Sequence, residues 1–129
     1  MVIDVHIQIL QANASTRCAG INAAAMALAH AGIPMKDLVS SVSIGKLDKQ
    51  LVTDLNKKEE DWEEGEGATD IAMSFLSNSD KLTHIQLDGH ITPKQLKEAI
   101  KLGREATKKI YEVQKKALKQ VGKEVGEEK

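Results

Sequence analysis

The chain has 129 residues, 41% of them hydrophobic, and a formal net charge of −1, totals that fit one domain with a modest core. Aromatic residues make up only 2%, with single Trp62, Phe75 and Tyr111, so small aliphatic side chains must build that core, and the little area each buries points to a stabilising partner. No apolar run approaches the ~20 residues of a membrane span and no basic stretch precedes the first apolar residues, so a soluble, untargeted, cytoplasmic protein without membrane contact is expected.

Ile3, Val5, Ile7 and Ile9 alternate with Asp4, His6 and Gln8, which predicts a half-buried strand over Ile3 to Gln11. From Ser15 or Thr16 to Ala31 the pattern becomes an alanine-rich helix, with Gly32 as its left-handed cap and Pro34 just beyond. Cys18, in its first turn, is the single cysteine; it excludes an internal disulfide, suits a reducing compartment, and reads as a small buried residue. A short turn of helix is expected near Met35 to Leu38.

Four extended segments follow, Ser41 to Ile44, Leu51 to Leu55, Thr69 to Leu76 and Leu82 to Leu87, separated by polar or glycine-containing breaks that suggest a meander. One break is strongly acidic: six of the eight residues from Glu59 to Glu66 are Asp or Glu. Asp88-Gly89 closes the last strand, and Thr92 with Pro93 forms a cap and first position for a long helix whose apolar residues Leu96, Ile100, Ile110, Ala117 and Val121 recur at helical spacing. That helix is basic, with ten Lys or Arg against three Glu between Lys94 and Lys123. Its lysines could attract RNA phosphates, although their spread over several faces is also what a solvated helix shows. The domain is placed at residues 1–122, with 123–129 as a flexible tail. The expected class is α+β, an antiparallel or mixed sheet with an alanine-rich helix and a long C-terminal helix.

Two groups of residues have chemical potential. Ser15, Thr16 and Arg17 stand where a strand passes into a helix, and free N–H groups, the helix dipole, two hydroxyls and a guanidinium there favour an anion. The plain alternative is an N-cap followed by a solvated arginine. The second group is Glu59, Glu60, Asp61, Glu66 and Asp70, carboxylates that could move a proton or hold Mg2+ near a leaving oxygen, or merely solvate a loop. His6, His30, His84 and His90 show no close ligand spacing, so no histidine metal site is expected.

The residues Thr16-Arg17-Cys18-Ala19-Gly20-Ile21-Asn22-Ala23-Ala24 and Ala31-Gly32-Ile33-Pro34-Met35-Lys36-Asp37-Leu38-Val39 follow the strand in an order that resembles the RNase PH family, especially the phosphorolytic subunit of archaeal exosomes. Asp54-Leu55-Asn56, Glu60-Asp61, Gln86-Leu87-Asp88-Gly89, Ile91-Thr92 and Tyr111-Glu112-Val113-Gln114-Lys115 extend the resemblance over nearly the whole chain. It implies half of an RNase PH-type fold, related to ribosomal protein S5 domain 2, and specifically the second half. The missing N-terminal half, as a separate chain or as the remainder of a longer one, would supply arginines that grip RNA and phosphate. Met1 directly before the strand favours a deliberate start.

By the same resemblance, Thr16 and Arg17, with Ser15 where the family usually has glycine, fall on the motif that binds inorganic phosphate, the co-substrate. That phosphate attacks the last linkage of RNA in 3′-to-5′ phosphorolysis. Family members carry two aspartates six residues apart; Asp61 matches the first, but Ala68 stands at the second, with Glu66 and Asp70 two positions to either side. Asp61, with Asp70, is thus the expected catalytic pair, and Mg2+ is left open. Such domains join other RNase PH-like subunits in a hexameric ring around RNA. A catalytically inactive ring subunit is the alternative that Ala68 suggests, and a small phosphate- or nucleotide-binding module is a third reading.

Overall fold

The computed structural model describes residues 1–127, with Glu124, Val125 and Glu127 in backbone only. Helix α1 (Thr16–His30) precedes strands β1 (Val39–Leu47) and β2 (Gln50–Thr53), a single-turn helix α2 (Lys57–Glu60), strands β3 (Ala68–Leu76) and β4 (Lys81–Asp88), and helix α3 (Pro93–Glu127). The strands form one antiparallel sheet in the order β2-β1-β3-β4. The class is the expected α+β, but the sheet is not the expected meander, because β3 pairs with β1 and leaves β2 at an edge. Nine residues of β1 match nine of β3, from Val39 opposite Leu76 to Leu47 opposite Ala68, whereas four-residue β2 offers β3 far less to pair with.

Alternation along β1 and β3 builds two unlike faces. Val42, Ile44, Ile71, Met73 and Phe75 project to one side, where they form the core with Ala99 and partly buried Leu96, Ile100, Ala106 and Ile110 of α3. Helix and sheet meet closely at Gly103, where an added Cβ would lie 2.8 Å from Met73 Sδ and 3.5 Å from Ile44. On the other side small residues prevail. Ser41, Ser43 and Ser74 are buried, with Ser41 Oγ donating to Met73 O and Ser74 Oγ to Ser41 Oγ, so the thin helix α1 closes on a polar but hydrogen-bonded surface. Where β2 falls short of β1's full length, the Asn22 amide takes a strand's place: it donates to Ser41 O at 2.9 Å and accepts from Ser41 N at 2.7 Å.

The expected helix ends hold. Gly32 follows α1 at φ 76°, in the left-handed region open to glycine. Thr92 and Gln95 cap α3 reciprocally, Gln95 N donating to Thr92 Oγ1 at 3.2 Å and Thr92 N to Gln95 Oε1 at 3.1 Å. Three expectations need correction. Residues 3–11 form no strand and pair with none, with a bend at Leu10, and Ile3, Val5, Ile7 and Ile9 are each about half exposed, so the alternation does not make the expected half-buried strand. Met35–Leu38 is a bend without helix, fixed by Asp37, whose carboxylate accepts from Leu38 N, Asn78 N and Ser79 N. Helix α3 continues through Glu127, past the start of the expected tail, whose residues 128–129 lie outside those described. No helix among the described residues is long and apolar enough to cross a membrane.

Candidate functional site

The loop before α1 is unusual in its backbone. Ala14 and Ser15 both have positive φ, 59° and 55°, a conformation that costs a residue with a side chain about 1 kcal/mol or more. Side-chain bonds hold it. Ser15 Oγ donates to Leu55 O at 2.9 Å and so receives the Ser43 hydroxyl as acceptor, while Asn13 Oδ1 accepts from Lys57 N at 3.1 Å. The Ser15 side chain therefore makes no cap bond to its own helix; it ties the loop to the sheet and to the segment leading into α2. That segment turns because Asn56 caps α2, exchanging hydrogen bonds with Glu59 in a capping box.

Thr16, Arg17 and Ser15 open onto a cavity of about 560 Å3 between α1, α2 and the sheet, where Ser43 of β1, Asp70 and Ala72 of β3 and Gln86 and Asp88 of β4 line it. Lys57 adds a second cation to its wall, and Glu60, Asp70, Gln86 and Asp88 form the opposite side. Asp70 comes from β3 and stands opposite Asp88 of β4 in register. Burial pushes the Asp70 carboxyl above its usual range, and the charges of Glu60 and Asp88 push it further. Its Oδ1 is buried without a hydrogen-bond partner. The arrangement brings an anion-favouring helix start and a proton-retaining carboxyl to one cavity, the juxtaposition that phosphoryl transfer uses. A larger cavity of about 710 Å3 lies behind the loop, backed by Val42, Leu102, Ala106 and Ile110 and rimmed by polar residues that include Asn13, Asn22, Asp54 and Glu105.

Of the residues singled out from sequence, Ser15, Thr16, Arg17 and Asp70 converge. Asp61 does not line this cavity. It lies just past the end of α2, 2.8 Å from Lys57 Nζ, which also meets Glu60 at 3.3 Å. Those two carboxylates, Asp61 first, hold the Lys57 ammonium above its usual range. Glu66 is engaged elsewhere, 2.8 Å from the buried Lys46 ammonium. Ala68 begins β3 beside Leu47, and Asp70 projects from the same face of the strand two residues on. Gln86, Asp88 and Lys57 are wall residues that the sequence reading did not single out; the Gln86-Leu87-Asp88 alternation was the available signal. Cys18 is buried as expected, and burial raises its thiol pKa. Among the described residues no three acidic, histidine or cysteine side chains converge closely enough to hold a metal ion by themselves.

Residues 37–106 match the profile of the "3′ exoribonuclease family, domain 2". The chain is similar to the exosome complex component Rrp41 of Thermococcus kodakarensis, 45% identical over 118 residues, which cover 92% of this chain and 46% of the relative. Against Rrp41 of Pyrococcus furiosus the identity is 44%, with the same coverage. In fold it is similar to rice Rrp46, with a TM-score of 0.76 at 24% identity, over 85% of this chain and 51% of that one. The chain thus spans about half the length of the relatives it matches. The family match begins at Asp37 and leaves the unpaired extended segment and α1 outside it.

Proposed function

Since the chain belongs to the 3′ exoribonuclease family, of which it carries domain 2, we propose that it is the C-terminal half of an RNase PH-type domain that degrades RNA from the 3′ end with phosphate. An N-terminal half, on another chain or on the remainder of this one, would complete the domain, and other RNase PH-like subunits would assemble with it into a ring. Cytoplasmic RNA turnover is the setting this implies. The observation that carries the reading is the convergence of Thr16, Arg17 and Asp70 on one cavity.

In this reading the α1 amides, the Thr16 hydroxyl and the Arg17 guanidinium hold inorganic phosphate against the final linkage of the RNA. A phosphate oxygen attacks the terminal phosphorus, the bond from phosphorus to the preceding 3′ oxygen breaks, and a nucleoside diphosphate leaves. The departing 3′ oxygen needs a proton, and Asp70, which retains its proton more readily than an ordinary carboxylic acid, is placed to give one. Asp61, turned toward Lys57, would act through the position of α2. Mg2+ commonly binds through one or two carboxylates plus substrate phosphates. Asp88 and an ionised Asp70, whose Oδ1 has no other partner, would hold it as the alternative to proton donation by Asp70, and it would supply charge neutralisation there.

A second reading, a ring subunit without catalysis, is favoured by Ala68 in place of an acid and by the outward pairing of Asp61. Reconstitution with the N-terminal half, followed by phosphate-dependent RNA shortening, decides between them. Phosphorolysis predicts activity that falls by about 10² or more in Arg17→Glu and Asp70→Asn, with a smaller loss in Asp61→Ala. A complex that assembles and binds RNA but releases no nucleoside diphosphate would establish the scaffold.

A further inference from the structure

An α-helix is about 10 Å across and neighbouring strands lie about 4.8 Å apart, so one helix covers two strands and a fully covered four-stranded face takes two helices. Helix α3 lies over β1, reaches β3 on one side and β2 on the other, and makes no close backbone approach to β4. On that uncovered side Leu82, Ile85 and Leu87 extend the core rows of Phe75, Met73 and Ile71. They remain 39%, 40% and 39% exposed.

The flank of α3 that overlooks this strip is basic. Arg104 reaches Asp80 in the β3–β4 turn at 3.7 Å and lies over the Phe75 ring, and Tyr111 bonds Asn78 in the same turn, so this flank faces β4. Lys97, Lys101 and Lys108 continue from Arg104 at helical spacing and are exposed, while Glu98 and Glu105 lie further round the helix, beside Lys101 and Lys108 at three- and four-residue spacing. Arg104 Nε is itself buried without a hydrogen-bond partner.

We propose that the trough between α3 and β4 seats a second helix, supplied by a partner protein. That helix would be amphipathic, with aliphatic side chains on Leu82, Ile85 and Leu87 and a row of carboxylates toward Lys97, Lys101 and Lys108. The β4 strip is aliphatic throughout, and the one aromatic ring on the flank, Tyr111, is tied to Asn78 and covered by Lys115, which favours a protein helix over single-stranded RNA. The docked helix leaves the anion cavity open, because Gln86 and Asp88 line that cavity from the other face of β4. The proposal adds a surface to the reading of a partner-completed domain and does not rest on its phosphate chemistry.

The test titrates the full chain, 15N-labelled, with a synthetic amphipathic peptide of about four helical turns carrying leucines on one face and glutamates on its flank. Controls are its sequence-scrambled form, the same peptide with lysines for glutamates, and oligoadenylate. The expected result is saturable binding of the glutamate peptide alone, with amide shifts at Leu82, Ile85, Leu87 and along Lys97 to Lys108. The triple variant Lys97→Glu, Lys101→Glu, Lys108→Glu should weaken it about tenfold or more, as should Ile85→Ser. The opposite-flank variant Lys109→Glu, Lys116→Glu should change it little. Absence of binding, equal binding of the scrambled or lysine peptide, shifts mapping elsewhere, or preferential binding of oligoadenylate through the same lysines would overturn the proposal.

Discussion

Asp70 has a stability signature separable from any role in catalysis. An acid whose folded pKa is raised holds its proton more tightly when folded, so its stabilising effect is present below the ordinary carboxyl range and is lost as pH rises through the raised value. Asp70→Asn removes that loss and should raise stability at pH 7, an advantage that fades below about pH 4; urea melts at both pH values measure it, and an equal or lower stability at pH 7 would contradict it. Asp37 has the opposite sign. Although burial pushes its carboxyl up, hydrogen bonds from Asn78, Ser79 and Leu38 outweigh it and pull the carboxyl below its usual range. Asp37→Ala should therefore cost about 0.5–1 kcal/mol at neutral pH, the low end because these bonds are open to solvent, with the difference narrowing as pH falls through the depressed value. Sequence made Thr16, Arg17 and Asp70 legible because a helix start and a strand alternation each have local patterns. The direction of Asp61, and the arrival of Lys57 and Asp88 at the same cavity, depend on pairing between strands and on the turn of α2, which no local pattern carries.

At the level of elements, the loop before α1 is held by what it touches. Leu55 supplies the carbonyl that anchors Ser15 and is itself buried against Gly45, where a Cβ would come within 2.2 Å of the Leu55 side chain. Gly45→Ala should destabilise by about 1–3 kcal/mol through overpacking. Added Leu55→Ala should offset part of that cost in a double-mutant cycle, and strict additivity of the two would argue against direct contact. The strands and both long helices were readable from alternation and caps, to within a few residues. The sheet order was not, since hairpin logic joins β2 to β3, whereas length matching joins β1 to β3. The expected first strand did not form: Ile3, Val5, Ile7 and Ile9 alternate as a half-buried strand does, but no strand pairs with them and they stay about half exposed.

Over the whole molecule, the apolar surface left bare is what the proposed partner would cover. Residues Ile3 to Leu10 expose a row of aliphatic side chains, and the β4 strip exposes another, in a chain with only three aromatic residues in its composition. The isolated chain should self-associate in light scattering, and Val5→Lys with Ile7→Lys should reduce that association while also preventing assembly with an N-terminal half. A stable monomer with cooperative melting would contradict the need for a partner.

The proposed anion seat at the start of α1 is tested most directly by a phosphate titration of the 15N-labelled chain. It predicts amide shifts at Ser15 to Cys18 and at Lys57, saturating with phosphate and absent in Arg17→Glu. Shifts spread over the α3 lysines, or unchanged in Arg17→Glu, would contradict it.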